Sequence, residues 1–197
     1  MTLARQLSLL GDEPPGFDPA LPGLARRDLG SGAWVDTVEG WVTGAERLFT
    51  LVSEAAPWAA HERRMYERMV VEPRLTTGAW EAPVDPLPAM AAALSAHYGE
   101  DLSVVSANLY RDGRDSVAWH GDRVGRRRRE TVVAIVSLGV ARRFLLRPAG
   151  GGSSVRLTPG PGDLTVLGGT CQRTWQHTVP KCASAGPRVS VMFRSSY

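Results

Sequence analysis

The sequence predicts an α+β protein, mainly β, folded as one domain. Three observations carry that reading. Apolar residues recur at helical spacing in only two stretches of the first half, the period switches to two from residue 103, and Gly- and Pro-rich turns separate the runs that follow. A chain of 197 residues can bury roughly 70% of its unfolded surface around one core. With 43% hydrophobic residues and a mean hydropathy of -0.15, it is neither a disordered tail, nor collagen-like, nor a coiled coil.

Residues 1–42 contain GDEPPGFDPALPG and show little periodicity, so they read as an extended arm around a domain spanning 43–197. Thr43 and Glu46 have capping-box spacing, and Leu48, Leu51, Val52 and Ala55 then fall at i, i+3, i+4 and i+7. A helix ending before Pro57 is expected there. A second helix has Asp85 as its cap, Pro86 in its first turn, Leu87, Met90, Ala91 and Leu94 as its apolar face, and Gly99 as its stop. Seven strands follow in SVVSANLY, TVVAIVSLG, RRFLLR, SVRL, DLTVLGG, WQHTV and RVSVMFR. Such spacing makes a sandwich, jelly roll or barrel, with the helices packed on one sheet.

No run of about 18 apolar residues occurs, so no membrane helix is expected. The start, MTLARQLSLLG, lacks a convincing cleavage site, and no secretory leader is expected. Cys171 and Cys182 fit neither C-x2-C zinc spacing nor a disulfide framework, which points to a cytoplasmic monomer with reduced thiols. The net charge of +3 conceals an asymmetry: residues 1–102 carry 8 basic against 15 acidic residues, and 103–197 carry 15 against 5. An anionic partner for the second half follows. Lys181 is the one lysine, so the surplus is guanidinium, suited to bidentate carboxylate or phosphate contact. A genomic base-composition bias explains the same excess equally well.

His120 stands two residues before Asp122, so on an extended backbone both side chains leave one face and can chelate one ion. His177 follows 55 residues later than Asp122. Two His and one carboxylate are the facial triad that holds non-haem Fe(II) with three positions open. By itself the pattern is weak, since strand histidines are more often surface or satisfied core residues. In RVSVMFR, Arg188, Ser190, Met192 and Arg194 share one face. Their two guanidinium groups hold a small dicarboxylate between them, or one holds the anion while the other supports the metal centre, or both are solvated or paired with Asp163 and Glu130 outside.

The ordered set of Asn108-Leu109-Tyr110, His120 and Asp122, Ser137–Gly139, His177, and Arg188 with Arg194 resembles the AlkB family of Fe(II)- and 2-oxoglutarate-dependent dioxygenases. NLYRDGRDSVAWHGD, WQHTVPK, PRVSVMFRSSY and the PRLT of Pro73–Thr76 are similar to its eukaryotic nucleic-acid demethylase branch, from about residue 45 to the end. The resemblance implies a double-stranded β-helix, a distorted jelly roll, with iron at its mouth. It also implies that His120, Asp122 and His177 bind Fe(II), while Asn108, Tyr110, Arg188 and Arg194 bind 2-oxoglutarate. An inward arginine needs a permanent anion, which the distal carboxylate of that cosubstrate supplies. The implied reaction consumes O2 and 2-oxoglutarate, gives succinate and carbon dioxide, and hydroxylates an N-alkyl group of a DNA or RNA base, which leaves as formaldehyde.

A methylated base must be flipped from a duplex and stacked in such a pocket. Trp80 and Trp119 are the candidate stacking residues, although core burial is the commoner fate of any tryptophan. Arg123, Arg126, Arg127, Arg128 and Arg129, continued by Arg142, Arg143 and Arg147, are expected to form a phosphate-tracking rim, with a solvated hairpin loop as the alternative. TGAWEAPVDPLP after PRLT, and Val124 two residues beyond Asp122, depart from relatives that carry aromatics and a carboxylate there. The departure bears on 1-methyladenine and 3-methylcytosine specificity and leaves the iron chemistry untouched. Two other readings stay open: the same oxygenase acting on a protein side chain or small molecule, and a jelly-roll binding module without turnover.

Overall fold

The computed structural model describes residues 13–65, 68–122 and 128–196. In chain order they form β1 (Gly16–Phe17), β2 (Ala25–Gly30), β3 (Ala33–Val38), β4 (Val42–Thr43), α1 (Ala45–Ala55), β5 (Ala59–Met65), β6 (Arg68–Thr76) and α2 (Leu87–Tyr98). There follow β7 (Val104–Tyr110), β8 (Val117–His120), β9 (Val133–Gly139), β10 (Phe144–Pro148), β11 (Val155–Leu157), β12 (Leu164–Gly169), α3 (Cys171–Thr174), β13 (Trp175–Val179) and β14 (Arg188–Arg194). All seven expected strands are present, as β7 and β9 to β14.

One sheet has the order β2-β3-β12-β9-β14-β7-β6-β5, a second has the order β11-β10-β13-β8, and β1 pairs with β4. From β7 to β14 the chain passes back and forth between the two large sheets, pairing antiparallel throughout. This is the double-stranded β-helix, with helices on the larger sheet.

Alternation along the central strands divides the core in two. Val105, Ala107 and Leu109 of β7, Val136 and Leu138 of β9, and Val189, Val191 and Phe193 of β14 face the helices. There they meet Leu48, Phe49 and Val52 of α1 and Leu87, Met90, Ala91 and Leu94 of α2. Burial of each such large side chain contributes about 1.5–3 kcal/mol. The other faces turn inward, where Tyr110, Val133, Ile135 and Leu167 meet Phe144, Leu146 and Val179 of the smaller sheet.

Several expectations need correction. Of the expected arm, residues 1–12 lie outside the described residues, and 13–42 are not simply an arm: β2 and β3 form a hairpin, and β3 pairs with β12, extending the large sheet. Their apolar alternation is hidden by Arg26, Arg27, Asp28 and Asp36. The cap of α1 is Gly44 at φ 56, not Thr43, with no side-chain cap bond. This left-handed glycine lies against the carbonyls of Glu13 and Pro14, where a Cβ has no room. The cap of α2 is Pro86 rather than Asp85, whereas Gly99 closes the helix as expected. The β5–β6 hairpin and the four-residue β8 are further strands without a turn-bounded apolar run in the sequence.

One polar cluster ties the hairpin to α2. Asp36, fully buried, accepts two hydrogen bonds of 2.7 Å from Arg26 and one of 3.0 Å from the Tyr98 hydroxyl. Arg26 stacks 3.8 Å from the Trp34 ring, which in turn stacks on Tyr98. Burial raises the Tyr98 phenol above its ordinary pKa, so it remains a donor. Replacing Asp36 with Ala leaves these donors without an acceptor. Asp36→Ala is expected to lower stability by about 2 kcal/mol in urea unfolding; an unchanged midpoint would show the cluster to be ornamental.

Candidate metal and dicarboxylate site

The site is built on the inner faces of β7, β8, β13 and β14. His177 on β13 lies directly opposite His120 on β8, and two residues further along β13 Val179 lies opposite Val117. Three steps on β8 against two on β13 make a bulge at Ala118–Trp119. The bulge turns both Val117 and His120 toward the cavity. It also brings the Ala118 carbonyl to 2.8 Å from His120 Nδ1. That contact makes Nδ1 the N–H bearing nitrogen and leaves the Nε2 lone pair for a metal.

Nε2 of His120 is 3.7 Å, and Nε2 of His177 is 3.9 Å, from Oδ1 of Asp122. One ligand atom from each of the three residues lies within 4.8 Å of the others, a spacing that one ion can bridge. Burial pushes the His177 imidazole down to about 4, with His120 and Arg74 adding to the effect and Asp122 opposing it. It is therefore neutral, the ligating form, at ordinary pH. Burial pushes the nearby Cys171 thiol up to about 12, which keeps it from competing as a thiolate.

Asp122 lies beyond the strand and is held from behind. Its backbone N–H donates to Gln172 Oε1 of α3 at 2.8 Å. Gly121 passes so close to α3 that a Cβ there would stand 2.7 Å from the Gln172 carbonyl oxygen. The glycine between the two candidate ligands is thus a condition of their convergence. Nothing in the sequence pattern marked Gln172.

The dicarboxylate residues meet across one ladder: Arg188 pairs with Tyr110 and Ser190 with Asn108. Arg188 is 1% exposed, and its Nη2 donates to Ser137 Oγ at 3.0 Å. Its Nε and Nη1 are buried with no hydrogen-bond partner among the described residues. Burial lowers its pKa, opposed by Tyr110. A sealed, half-satisfied guanidinium fits a carboxylate ligand, the group a 2-oxoglutarate site requires. The Asn108 side-chain amide donates to the Met192 sulfur, a weak acceptor, at 3.3 Å. Arg194 shares the inner face of β14 and is half-buried, yet from that face Ser190 and Met192 line the cavity, and neither Arg188 nor Arg194 does.

The cavity has about 410 Å³ of empty space including its mouth. Its wall joins His120, Asp122 and His177 to Asn108, Tyr110 and Ser190, with Val117, Ile135, Phe144, Val179 and Met192 as apolar lining. Arg74 of the PRLT segment also lines it.

The expected substrate residues fare differently. Trp80 is 8% exposed within the helix-side cluster, so the large sheet separates it from the cavity. Trp119 points to the outer face of β8, where the Arg147 guanidinium stacks 4.2 Å from its ring and also donates to Gln176. Neither tryptophan can stack a base beside the metal ligands. Arg123, Arg126, Arg127 and Val124 lie outside the described residues. Arg128 is ion-paired with Glu100 at 2.7 Å. Arg142 is buried, donating to the carbonyls of Asp112, Asp115 and Pro180. Arg129 and Arg143 are exposed and flank opposite ends of β9.

The fold and this site define an oxygenase of the Fe(II) and 2-oxoglutarate type, and residues 44–194 match the family described as the 2OG-Fe(II) oxygenase superfamily, to which the chain belongs. The chain is also similar to AlkB homologues. It is 28% identical over 177 residues to alkB homolog 3 of Bos taurus, covering 78% of this chain and 62% of the relative. It is 25% identical over 236 residues to a protein of Arabidopsis thaliana named DNA oxidative demethylase ALKBH2, covering 95% of this chain and 74% of the relative. The chain spans about six-tenths of the length of the alkB homolog 3 relatives. Among solved structures, OsALKBH1 superposes with a TM-score of 0.60 at 12% identity, over 87% of this chain and all of that one. A prolyl hydroxylase from Trichoplax adhaerens does so at 0.58 and 11%, over 81% of this chain and 82% of that one. Family membership brings Fe(II), 2-oxoglutarate and O2 as the cofactor set.

Gly121→Ala is expected to weaken divalent metal binding by about tenfold or more, since the added methyl displaces Asp122 from α3. Anaerobic titration with Co(II) measures it. Unchanged affinity would show that the close approach does not position the carboxylate.

Proposed function

We propose that this chain is an AlkB-type dioxygenase that dealkylates N-alkylated bases in DNA or RNA. The observation that carries the reading is the convergence of His120, Asp122 and His177 on the cavity that Asn108, Tyr110 and Ser190 also line, with buried Arg188 paired to Tyr110 in the neighbouring ladder. The naming of the Arabidopsis relative as a DNA oxidative demethylase supports the choice of substrate. The catalytic unit takes in 43–197 together with β2 and β3, which extend its larger sheet.

His120, Asp122 and His177 would hold Fe(II) and leave three positions for ligands. Arg188 would hold the distal carboxylate of 2-oxoglutarate, with the Tyr110 hydroxyl and Asn108 amide completing its contacts and Arg194 at the far end of the same face. Bound together, metal, cosubstrate and O2 supply one oxygen atom to the N-alkyl carbon and one to the succinate formed as carbon dioxide leaves. The N-hydroxymethyl product of a methylated base then loses its hydroxyl proton and formaldehyde as the carbon–nitrogen bond breaks, which restores the unmodified ring nitrogen. The protein's contribution is placement and dryness: Ile135, Phe144, Val179 and Met192 keep bulk water from the reacting carbon. Arg129 and Arg143, both exposed, serve as phosphate contacts on separate stretches of backbone.

Burial of Trp80 removes one expected stacking group and keeps a protein side chain or small molecule as the competing substrate. A panel of methylated oligonucleotides with Fe(II) and 2-oxoglutarate separates the two readings. Formaldehyde and succinate in equal amounts are expected, both abolished in His177→Ala. Succinate without formaldehyde across the panel would reject the nucleic-acid substrate while keeping the oxygenase.

A further inference from the structure

We infer that Met192 is a modification site: when the oxygenase runs with no substrate in place, its thioether becomes a sulfoxide, which then holds the Asn108 amide and weakens the binding of 2-oxoglutarate. The inference goes beyond the dealkylase reading and rests on it only for Asn108 as a cosubstrate contact.

Met192 is half-buried on the inner face of β14 and lines the cavity together with His120, Asp122 and His177. Among the described lining residues it supplies the one sulfur atom; Val117, Ile135, Phe144 and Val179 present hydrocarbon. A thioether is the readily oxidised group in such a wall. Oxidation that finds no substrate carbon therefore has one favoured target inside the protein.

The surroundings of Met192 suit the sulfoxide better than the thioether. The Asn108 side-chain amide donates to the sulfur at 3.3 Å, although a thioether is a weak acceptor. Ser106 stands directly across the β7–β14 ladder from Met192, on the same inner face as Asn108. It is 1% exposed, and its hydroxyl is buried with no hydrogen-bond partner among the described residues. A desolvated donor without a match is destabilising. Two donors thus surround an atom that satisfies neither well.

A sulfoxide oxygen is a strong acceptor with lone pairs for both. Residues directly opposite on an antiparallel ladder have Cβ atoms about 5 Å apart, and the unbranched methionine side chain adapts its reach. The oxygen can then accept from the Ser106 hydroxyl and the Asn108 amide together. In the reduced protein the weak contact to sulfur releases Asn108 to the cosubstrate easily; in the oxidised protein a full hydrogen bond competes for it.

The step balances without any further reactant. One atom of O2 forms the S–O bond. The other enters succinate as the C1–C2 bond of 2-oxoglutarate breaks and carbon dioxide leaves. The thioether and the keto acid each give up two electrons, O2 accepts four, and no proton is gained or lost.

The test incubates Fe(II)-loaded protein with 2-oxoglutarate and isotopically heavy O2, with no oligonucleotide present. Trypsin then releases the peptide Val189–Arg194, in which Met192 is the one sulfur residue. That peptide should gain one heavy oxygen atom as succinate accumulates, and gain none without 2-oxoglutarate or in His177→Ala. A methionine sulfoxide reductase with a thiol reductant should remove the gain. Stripped and reloaded with Fe(II), the oxidised protein should bind 2-oxoglutarate about fivefold or more weakly in anaerobic calorimetry, and the reductase should restore the affinity. Met192→Leu taken through the same incubation should show no such loss, and Ser106→Ala, which removes one donor to the sulfoxide, should show a smaller one. Succinate accumulating while the peptide stays unlabelled overturns the inference. So does a labelled protein of undiminished affinity; weaker binding by unoxidised Asn108→Ala would then leave the cosubstrate contact standing. Should Met192→Leu not fold, reversal by the reductase decides. Failure of every methylated oligonucleotide as a substrate leaves these outcomes unchanged, since none is present.

Discussion

A guanidinium sealed between two sheets is stable only if something negative completes it, and Arg188 imposes that condition on everything around it. The central strand β14 is buried on both faces with different chemistry on each. Val189, Val191 and Phe193, all 0% exposed, anchor the helix layer, while Arg188, Ser190 and Met192 face the interior of the β-helix. A slip of one residue in the β14 register would place Arg188 among leucines and Phe193 in the cavity. The apolar contacts of β14 thus fix the position of its cation, and the cation fixes what the cavity can hold. Ser137 meets one of its donors, and two remain for a ligand.

The metal cluster depends on backbone features of the smaller sheet. The two histidines are cross-strand neighbours, but they converge because β8 carries one extra residue at its bulge. Asp122 joins them because Gly121 allows the chain to lie against α3, where Gln172 holds it. Ligand identity and ligand support therefore come from different parts of the sequence.

That division explains what the sequence made legible. The period-two runs and the second helix were readable because burial imposes a regular apolar pattern; the four residues expected to form the face of α2 are those that are buried. The candidate ligands and Arg188 were readable because few other residue types can do their work at that spacing. The β2–β3 hairpin was hidden, since its outermost strand is exposed and charged and its partner encloses Asp36. Trp80 and Trp119 misled because a tryptophan near a motif carries no sign of the sheet face it occupies. Gln172 and the bulge left no local trace, being defined by contacts across about fifty residues.

The charge asymmetry was partly a record of internal pairing. Within the basic half, Arg188 is inside, Arg142 binds three carbonyls, Arg111 and Arg114 pair with Asp115 and Asp112, and Arg128 pairs with Glu100. A surplus of arginine therefore says less about an external polyanion than about a buried anion. The most direct test of that claim is calorimetric: anaerobic titration of the Fe(II)-loaded protein with 2-oxoglutarate, and with 2-oxobutyrate, which lacks the distal carboxylate. The account predicts that 2-oxoglutarate binds at least about tenfold more tightly, a difference that vanishes in Arg188→Met. Equal affinity for the two ligands in the wild type would contradict it.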